Sequence, residues 1–171
     1  MIRKNKLFLR PHKMYEAARI KEENQIVEKY GLKNKREIWK SAAKINYYRS
    51  RAKALARAPM EEQKNLFGKL TALGIKVNSI SDVLALKIEN LLDRRLPSIM
   101  FKKNLAKTTK QARQMVVHKN VLVNGNVVNT PSYIVPVSEE NSITLKVKIK
   151  KPKVEAPKEI AKEAPETKEA K

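Results

Sequence analysis

The chain has 171 residues, 42% of them hydrophobic, and 38 Lys and Arg against 17 Asp and Glu give it a net charge of +21. That length buries one medium core or two small ones, but so large an imbalance opposes compaction unless a polyanion neutralises it. Nucleic acid is therefore the leading partner, and an anionic membrane surface the second. Cysteine is absent and only His12 and His118 offer imidazole, which excludes disulfides and Cys-based zinc sites and fits a reducing cytoplasm. Charges interrupt every apolar run, so no stretch reads as a membrane span or a secretion signal.

The positive charge is unevenly placed. Residues 1–58 carry 17 bases and 5 acids, residues 59–93 carry 4 and 5, residues 94–149 carry 10 and 2, and residues 150–171 carry 7 and 5. Two basic blocks flank a neutral spacer, whereas a merely solubilising surface would be mixed throughout.

Residues 1–14 hold Arg3, Lys4, Lys6, Arg10 and Lys13, with Pro11 preventing an early helix. They read as an extended basic arm, or equally as a floppy terminus. A helix is expected over about Tyr15–Tyr30, stopped by Gly31. The next begins with Asn34 as cap and Glu37 three residues on, a capping-box-like pair, and runs to Ala58 before Pro59. At 100° per residue Ile38, Ala42, Ile45, Ala52 and Ala56 share an inward face. Arg36, Lys40, Lys44 and Arg51 share another with Tyr47, while Arg49, Lys53 and Arg57 form a third row. No acid follows Glu37 until Glu61. A solvated helix face is usually laced with Glu–Lys pairs, and like-charge rows are mildly destabilising alone. These rows therefore point to phosphate. Trp39, Tyr47 and Tyr48 suit base stacking chemically, but helix aromatics more often pack at the core boundary.

A short helix over residues 60–73, with Leu66, Phe67, Leu70 and Leu73, is closed by Gly74. Residues 79–101 are helix-rich, capped by Ser79 or Ser81, and Val83, Leu84, Leu86, Ile88, Leu91 and Leu92 supply core. This neutral block reads as scaffold. Asp93-Arg94-Arg95-Leu96 ends one helical stretch, and a basic linker with Lys102, Lys103 and Lys107 follows. Thr108 then caps a helix with Gln111 at its third position. Ala112, Met115 and Val116 face inward, opposite a stripe of Gln111, Gln114 and His118 flanked by Lys110 and Arg113. Val121–Val128 is two short strand-like runs around the Asn124-Gly125 turn. Pro131–Val135 and Ile143–Val147 read as further strands. The tail, with Pro152, Pro157 and Pro165, reads as disordered.

Arg94-Arg95-Leu96, TTKQARQMVV at 108–117, His118, VLVNG at 121–125 and Pro131-Ser132-Tyr133 resemble the RNA-binding module named after small-subunit ribosomal protein four. The upstream run Gly31–Trp39, GLKNKREIW, resembles the archaeal and eukaryotic branch of that ribosomal family. The resemblance covers roughly residues 1–150. It implies an α+β fold: a basic arm and mainly helical part over 1–92, a small helix-helix-plus-sheet module of the alpha-L type over 93–150, and the tail at 151–171. It further implies direct, early binding of small-subunit ribosomal RNA at a multi-helix junction of the 5′ domain. A position near the mRNA entry channel beside small-subunit protein five, and an effect on decoding accuracy, follow from the same resemblance. By motif, the RNA-facing positions are Arg94, Arg95, Lys110, Gln111, Arg113, Gln114, His118, Asn124 and Tyr133, with Lys119 added beside His118. The chain departs from the family pattern at Thr109, often Arg, and at His118-Lys119-Asn120, often His-Gly-His.

Catalysis finds no support in the residues. Glu22-Glu23 and Glu139-Glu140 are adjacent pairs that point to different sides, the glycines at 31, 68, 74 and 125 build no phosphate loop, and no metal-ligand spacing or cofactor motif emerges. An RNA-modifying enzyme bearing this module as an appendage would need a larger and less basic partner domain than residues 1–90. A free-standing RNA chaperone or DNA-compacting protein explains the charge but not the upstream match. The expectation is a non-enzymatic, monomeric component of the cytoplasmic small ribosomal subunit, with no cofactor and no membrane contact.

Overall fold

The computed structural model describes residues 8–146. Residues 1–7, Val147 of the last expected strand and the proline-containing tail lie outside the described residues. Within them the chain is α+β: seven helices precede a three-stranded antiparallel sheet.

The first helix, α1, spans Ala17–Tyr30 and ends as expected on Gly31, whose φ of 58° is left-handed. The Leu32 amide closes the turn on the Val27 carbonyl at 3.0 Å. It starts two residues later than Tyr15 because the Arg19 guanidinium takes the Lys13 and Met14 carbonyls at 2.8 and 2.9 Å, bending the chain there. Glu23 is buried on α1 and accepts from Arg19 and from the Trp39 indole at 2.8 and 2.9 Å. It thereby ties α1 to α2, Lys35–Leu55.

Helix α2 buries Ile38, Ser41, Ile45 and Ala52, while Ala42 is half-buried. It stops three residues short of Ala58, and Ala56 is exposed rather than on the inward face. Pro59 disfavours helix at the residue before it, and the Gln63 amide takes the Leu55 and Ala58 carbonyls at 3.1 and 3.0 Å. The expected capping box at its start does not form. Asn34 is extended but makes no side-chain cap bond, and the Glu37 carboxylate that would complete the box is held by two arginines described below.

Helix α3, Met60–Ala72, buries Leu66 and Leu70. The helix-rich stretch beyond it divides into α4, Ile80–Ala85, α5, Ile88–Leu92, and α6, Leu96–Lys102. Ser79 is the cap of α4, and its hydroxyl and the Asp82 carboxylate form a reciprocal capping box. Helix α6 falls within the stretch expected to be helix-rich, and the basic linker begins at its end. Pro97 sits in the first turn of α6, where no intrahelical amide is required, and Leu96 to Met100 are all buried.

Helix α7, Thr109–Val117, is capped as expected by the Thr108 hydroxyl on the Gln111 amide at 3.1 Å. Strands β1, Val121–Val123, and β2, Asn126–Val127, flank a turn in which Asn124 and Gly125 both have positive φ. A 3-10 helix, Val137–Ser142, leads into β3, Ile143–Leu145, and the sheet order is β2-β1-β3. Pro131–Val135 is not a strand. It forms one bridge, Arg95 to Ile134, with bonds from Leu96 to Tyr133 and from Val135 to Arg94. Its partner bends into α6 one residue later, so no ladder can propagate.

Separate apolar clusters lie on either side of Asp93. Leu96, Ile99, Met100, Ala112, Val116, Val121, Val123, Val135 and Ile143 form one. Helices α2 to α5 share a second, built on Ile45, Leu66, Leu70, Val83 and Leu91, and Tyr30, Leu32, Ile38 and Leu92 form a third. Ile134 leaves its own module to pack against the second cluster, which seats the module on the helical part.

Candidate nucleic-acid interface

Helix α7 carries a sharply divided surface. Ala112 and Val116 are fully buried, so the residues between them on the other side are forced outward. Lys110, Gln111, Gln114, His118 and Lys119 are exposed, and so is Asn124 in the hairpin turn. The Gln111 side-chain oxygen also accepts from the Lys107 amide at 3.0 Å, which fixes the first turn. Lys119 follows the helix in a left-handed conformation, φ 59°, and Asn120 closes that turn on the Met115 carbonyl at 3.0 Å.

Along α2 the exposed bases are Arg36, Lys40, Lys44, Arg51 and Lys53, with Arg57 just beyond its end. Arg51 donates to the Tyr47 hydroxyl at 3.2 Å. Arg49 behaves differently from its row: its guanidinium donates to the Leu86 carbonyl at 2.6 Å and braces α2 against α4.

The two basic blocks meet. A cleft of about 480 Å³ runs between the start of α2 and the 131–134 segment, lined by Arg36, Lys40, Lys44, Arg95, Arg113 and Ser132, with Glu37 as its one acid. Its walls partly strip water from Lys44, and this burial pushes that ammonium below its ordinary value. Glu37 accepts from Arg95 at 2.8 Å and, on both oxygens, from Arg113 at 2.8 and 3.1 Å. Burial alone would raise the Glu37 carboxyl. The hydrogen bonds and charges of Arg113 and Arg95 outweigh it and hold the group below the usual carboxylate range.

Several residues expected to face RNA are instead turned inward. Arg95 is 7% exposed, its guanidinium held by Glu37. Arg94 lies against Gly74 and donates to the Val135 carbonyl and to Glu140, each at 2.9 Å. Tyr133 donates to Glu139 at 2.5 Å and packs on the module core. Arg113 lines the cleft, but two of its donors are committed to Glu37. For Arg94 and Arg95 the reason is shared: a guanidinium beside a buried strand bridge meets protein acceptors before it meets solvent.

Sequence reasoning missed Glu37 as part of the site. The signal was present, since it is the only acid on a 21-residue helix with seven bases. Lys146 and Asn129 border a small groove with Lys119 and Val127.

A two-helix module carrying a small sheet, with a polar stripe outward and a basic cleft at its seam, defines the chain as an S4-domain protein. The family model described as the S4 domain matches residues 94–141. The small ribosomal subunit protein uS4 of Methanococcus aeolicus is 40% identical over 149 residues, covering 83% of this chain and 84% of its own. The uS4 protein of Saccharolobus islandicus is 44% identical over 132 residues, 73% of each chain. That of Thermoplasma volcanium is 42% identical over 149 residues, 81% of this chain and 74% of its own. The chain belongs to the small ribosomal subunit protein uS4 family.

Proposed function

We propose that this chain is a non-enzymatic structural constituent of the small ribosomal subunit, working in the cytoplasm, where it binds small-subunit ribosomal RNA directly. The observation that supports this reading is the cleft. Bases from two sequence-distant segments, Arg36, Lys40 and Lys44 on one side and Arg95 and Arg113 on the other, converge there around one carboxylate. The narrow major groove of an A-form helix bars side chains, so folded RNA is read by its shape, phosphates and 2′-hydroxyls. A rigid cleft beside an outward polar stripe suits that task. The names of the relatives favour a ribosomal protein over a free-standing RNA chaperone.

In finer detail, the RNA target is a multi-helix junction of the 5′ domain, bound early in subunit assembly. The assembled protein lies near the mRNA entry channel beside small-subunit protein five, influences decoding accuracy and does not self-associate. The contacting set is Lys110, Gln111, Gln114, His118, Lys119 and Asn124 from the module, with Arg36, Lys40, Lys44, Arg51, Lys53 and Arg57 from the helical part. Arg113 contributes from the cleft. Residues 1–92 and 93–150 act as two bodies, and 151–171 as an appended tail.

The test is affinity for the 5′ domain of small-subunit ribosomal RNA against an unrelated structured RNA of equal length, across a salt series. A preference that survives high salt, with protections confined to one junction, is the expected result. Equal affinities that both collapse with salt would replace this reading with charge-driven chaperone binding.

A further inference from the structure

We infer that Glu37 is a positioning residue for RNA discrimination: its single carboxylate clasps Arg95 and Arg113 and thereby fixes the module against α2, at the expense of raw affinity. The inference rests on the RNA-binding reading above.

An acid in this place is unfavourable for phosphate in the simplest accounting. Around the cleft it is the one negative charge, and it occupies two of the five guanidinium donors of Arg113 as well as one nitrogen of Arg95. A surface evolved only to attract polyanions would carry a neutral residue there. What the carboxylate supplies is geometry. Among the described residues, the three bonds that Glu37 accepts are the only side-chain hydrogen bonds between α2 and residues 94–146. They join three elements: α2 through Glu37, the start of α6 through Arg95, and α7 through Arg113. Each guanidinium is mostly enclosed, with side chains 9% and 20% exposed, so the pairs are poorly screened. Arg113 makes a fork-on-fork contact, which restricts orientation as well as distance. The remaining Arg113 donors are then presented from a fixed frame, and the α2 row Arg36-Lys40-Lys44 is held at a set separation from the α7 stripe. Shape-read RNA rewards that fixed spacing, whereas non-specific RNA responds only to total charge.

The two contributions separate on mutation. Glu37→Gln removes one negative charge and loosens the clasp. Its affinity for an unrelated structured RNA should rise by about threefold with a steeper salt dependence, while the 5′-domain preference falls by about tenfold. Arg113→Lys keeps the charge of the cleft and abolishes the fork. It should lower the preference with no change in the salt slope. Because the chain has no cysteine, spin labels placed through Ser50→Cys and Asn126→Cys report the distance between α2 and the module directly. That distance distribution should be narrow in the parent chain and broaden in both Glu37→Gln and Arg113→Lys, with melting curves confirming that each variant is folded.

If both variants change the two RNA affinities by one common factor, or leave the label distances as narrow as before, Glu37 is an ordinary structural residue and the inference is overturned. If the parent chain itself shows no preference between the RNAs, the RNA-binding reading fails, and this inference falls with it.

Discussion

Gly31 is where the helical part touches the first turn of α7, and substituting it separates two costs that usually occur together. Its φ of 58° is left-handed, which an L side chain adopts at a cost of about 1–2 kcal/mol. A Cβ there would also stand 2.9 Å from the Lys110 nitrogen and 3.0 Å from the Thr109 carbonyl carbon, both backbone atoms. Neither can rotate aside, so α1 or α7 must shift, and overpacking of this kind costs about 1–3 kcal/mol more. Gly125 supplies the comparison: its φ is 79°, but no atom lies within 4 Å of an added Cβ. Gly31→Ala should therefore destabilise by about 2–5 kcal/mol and Gly125→Ala by only about 1–2 kcal/mol. Urea unfolding of the full chain, followed by far-ultraviolet circular dichroism, measures both. Because Lys110 and Gln111 stand on the displaced turn, Gly31→Ala should also weaken 5′-domain binding at urea-free conditions where it remains folded. Equal destabilisation of the two variants would refute the close approach of α1 to α7.

Lys119 poses the opposite case, a side chain held at φ 59°. Lys119→Gly should stabilise the fold by about 0.5–1 kcal/mol, and should reduce the salt slope of RNA binding by about one phosphate contact; a loss of stability in the same urea titration would contradict the strain. Replacing Arg36, Lys40 and Lys44 together by Ala should flatten that slope by about 2–3, whereas Arg49→Ala should leave it nearly unchanged and instead lower the melting temperature, since Arg49 braces the Leu86 carbonyl. Acid sensitivity follows from Glu37. Its carboxyl titrates below the unfolded range, so its contribution is complete only above about pH 5 and is lost as pH falls through the unfolded and then the lower folded value. Urea midpoints measured between pH 2 and 6 should therefore fall less steeply with acid in Glu37→Gln than in the parent, and parallel curves would show that the carboxylate is not stabilised in the folded state.

Local chemistry made much of this protein legible in the chain itself. Gly31 after α1, Ser79 before α4, Thr108 with Gln111 at α7, and Asn124-Gly125 in the hairpin each satisfy backbone groups within a few residues, so their roles can be read without knowing the fold. The outward stripe of α7 follows from its buried face in the same way, and the two basic blocks are a property of composition. Tertiary structure decided what long side chains reach. Glu37 is three residues past a cap and locally reads as its partner, yet two arginines 58 and 76 positions away offer stronger, better enclosed bonds. Arg94, Arg95 and Tyr133 belong to the motif that signals RNA binding, but the bridge between residues 95 and 134 turns them toward protein acceptors. Charge in a sequence points to a polyanionic partner. Which cations remain free to bind it depends on acceptors brought close only by folding, because a guanidinium enclosed by protein cannot be left without a partner.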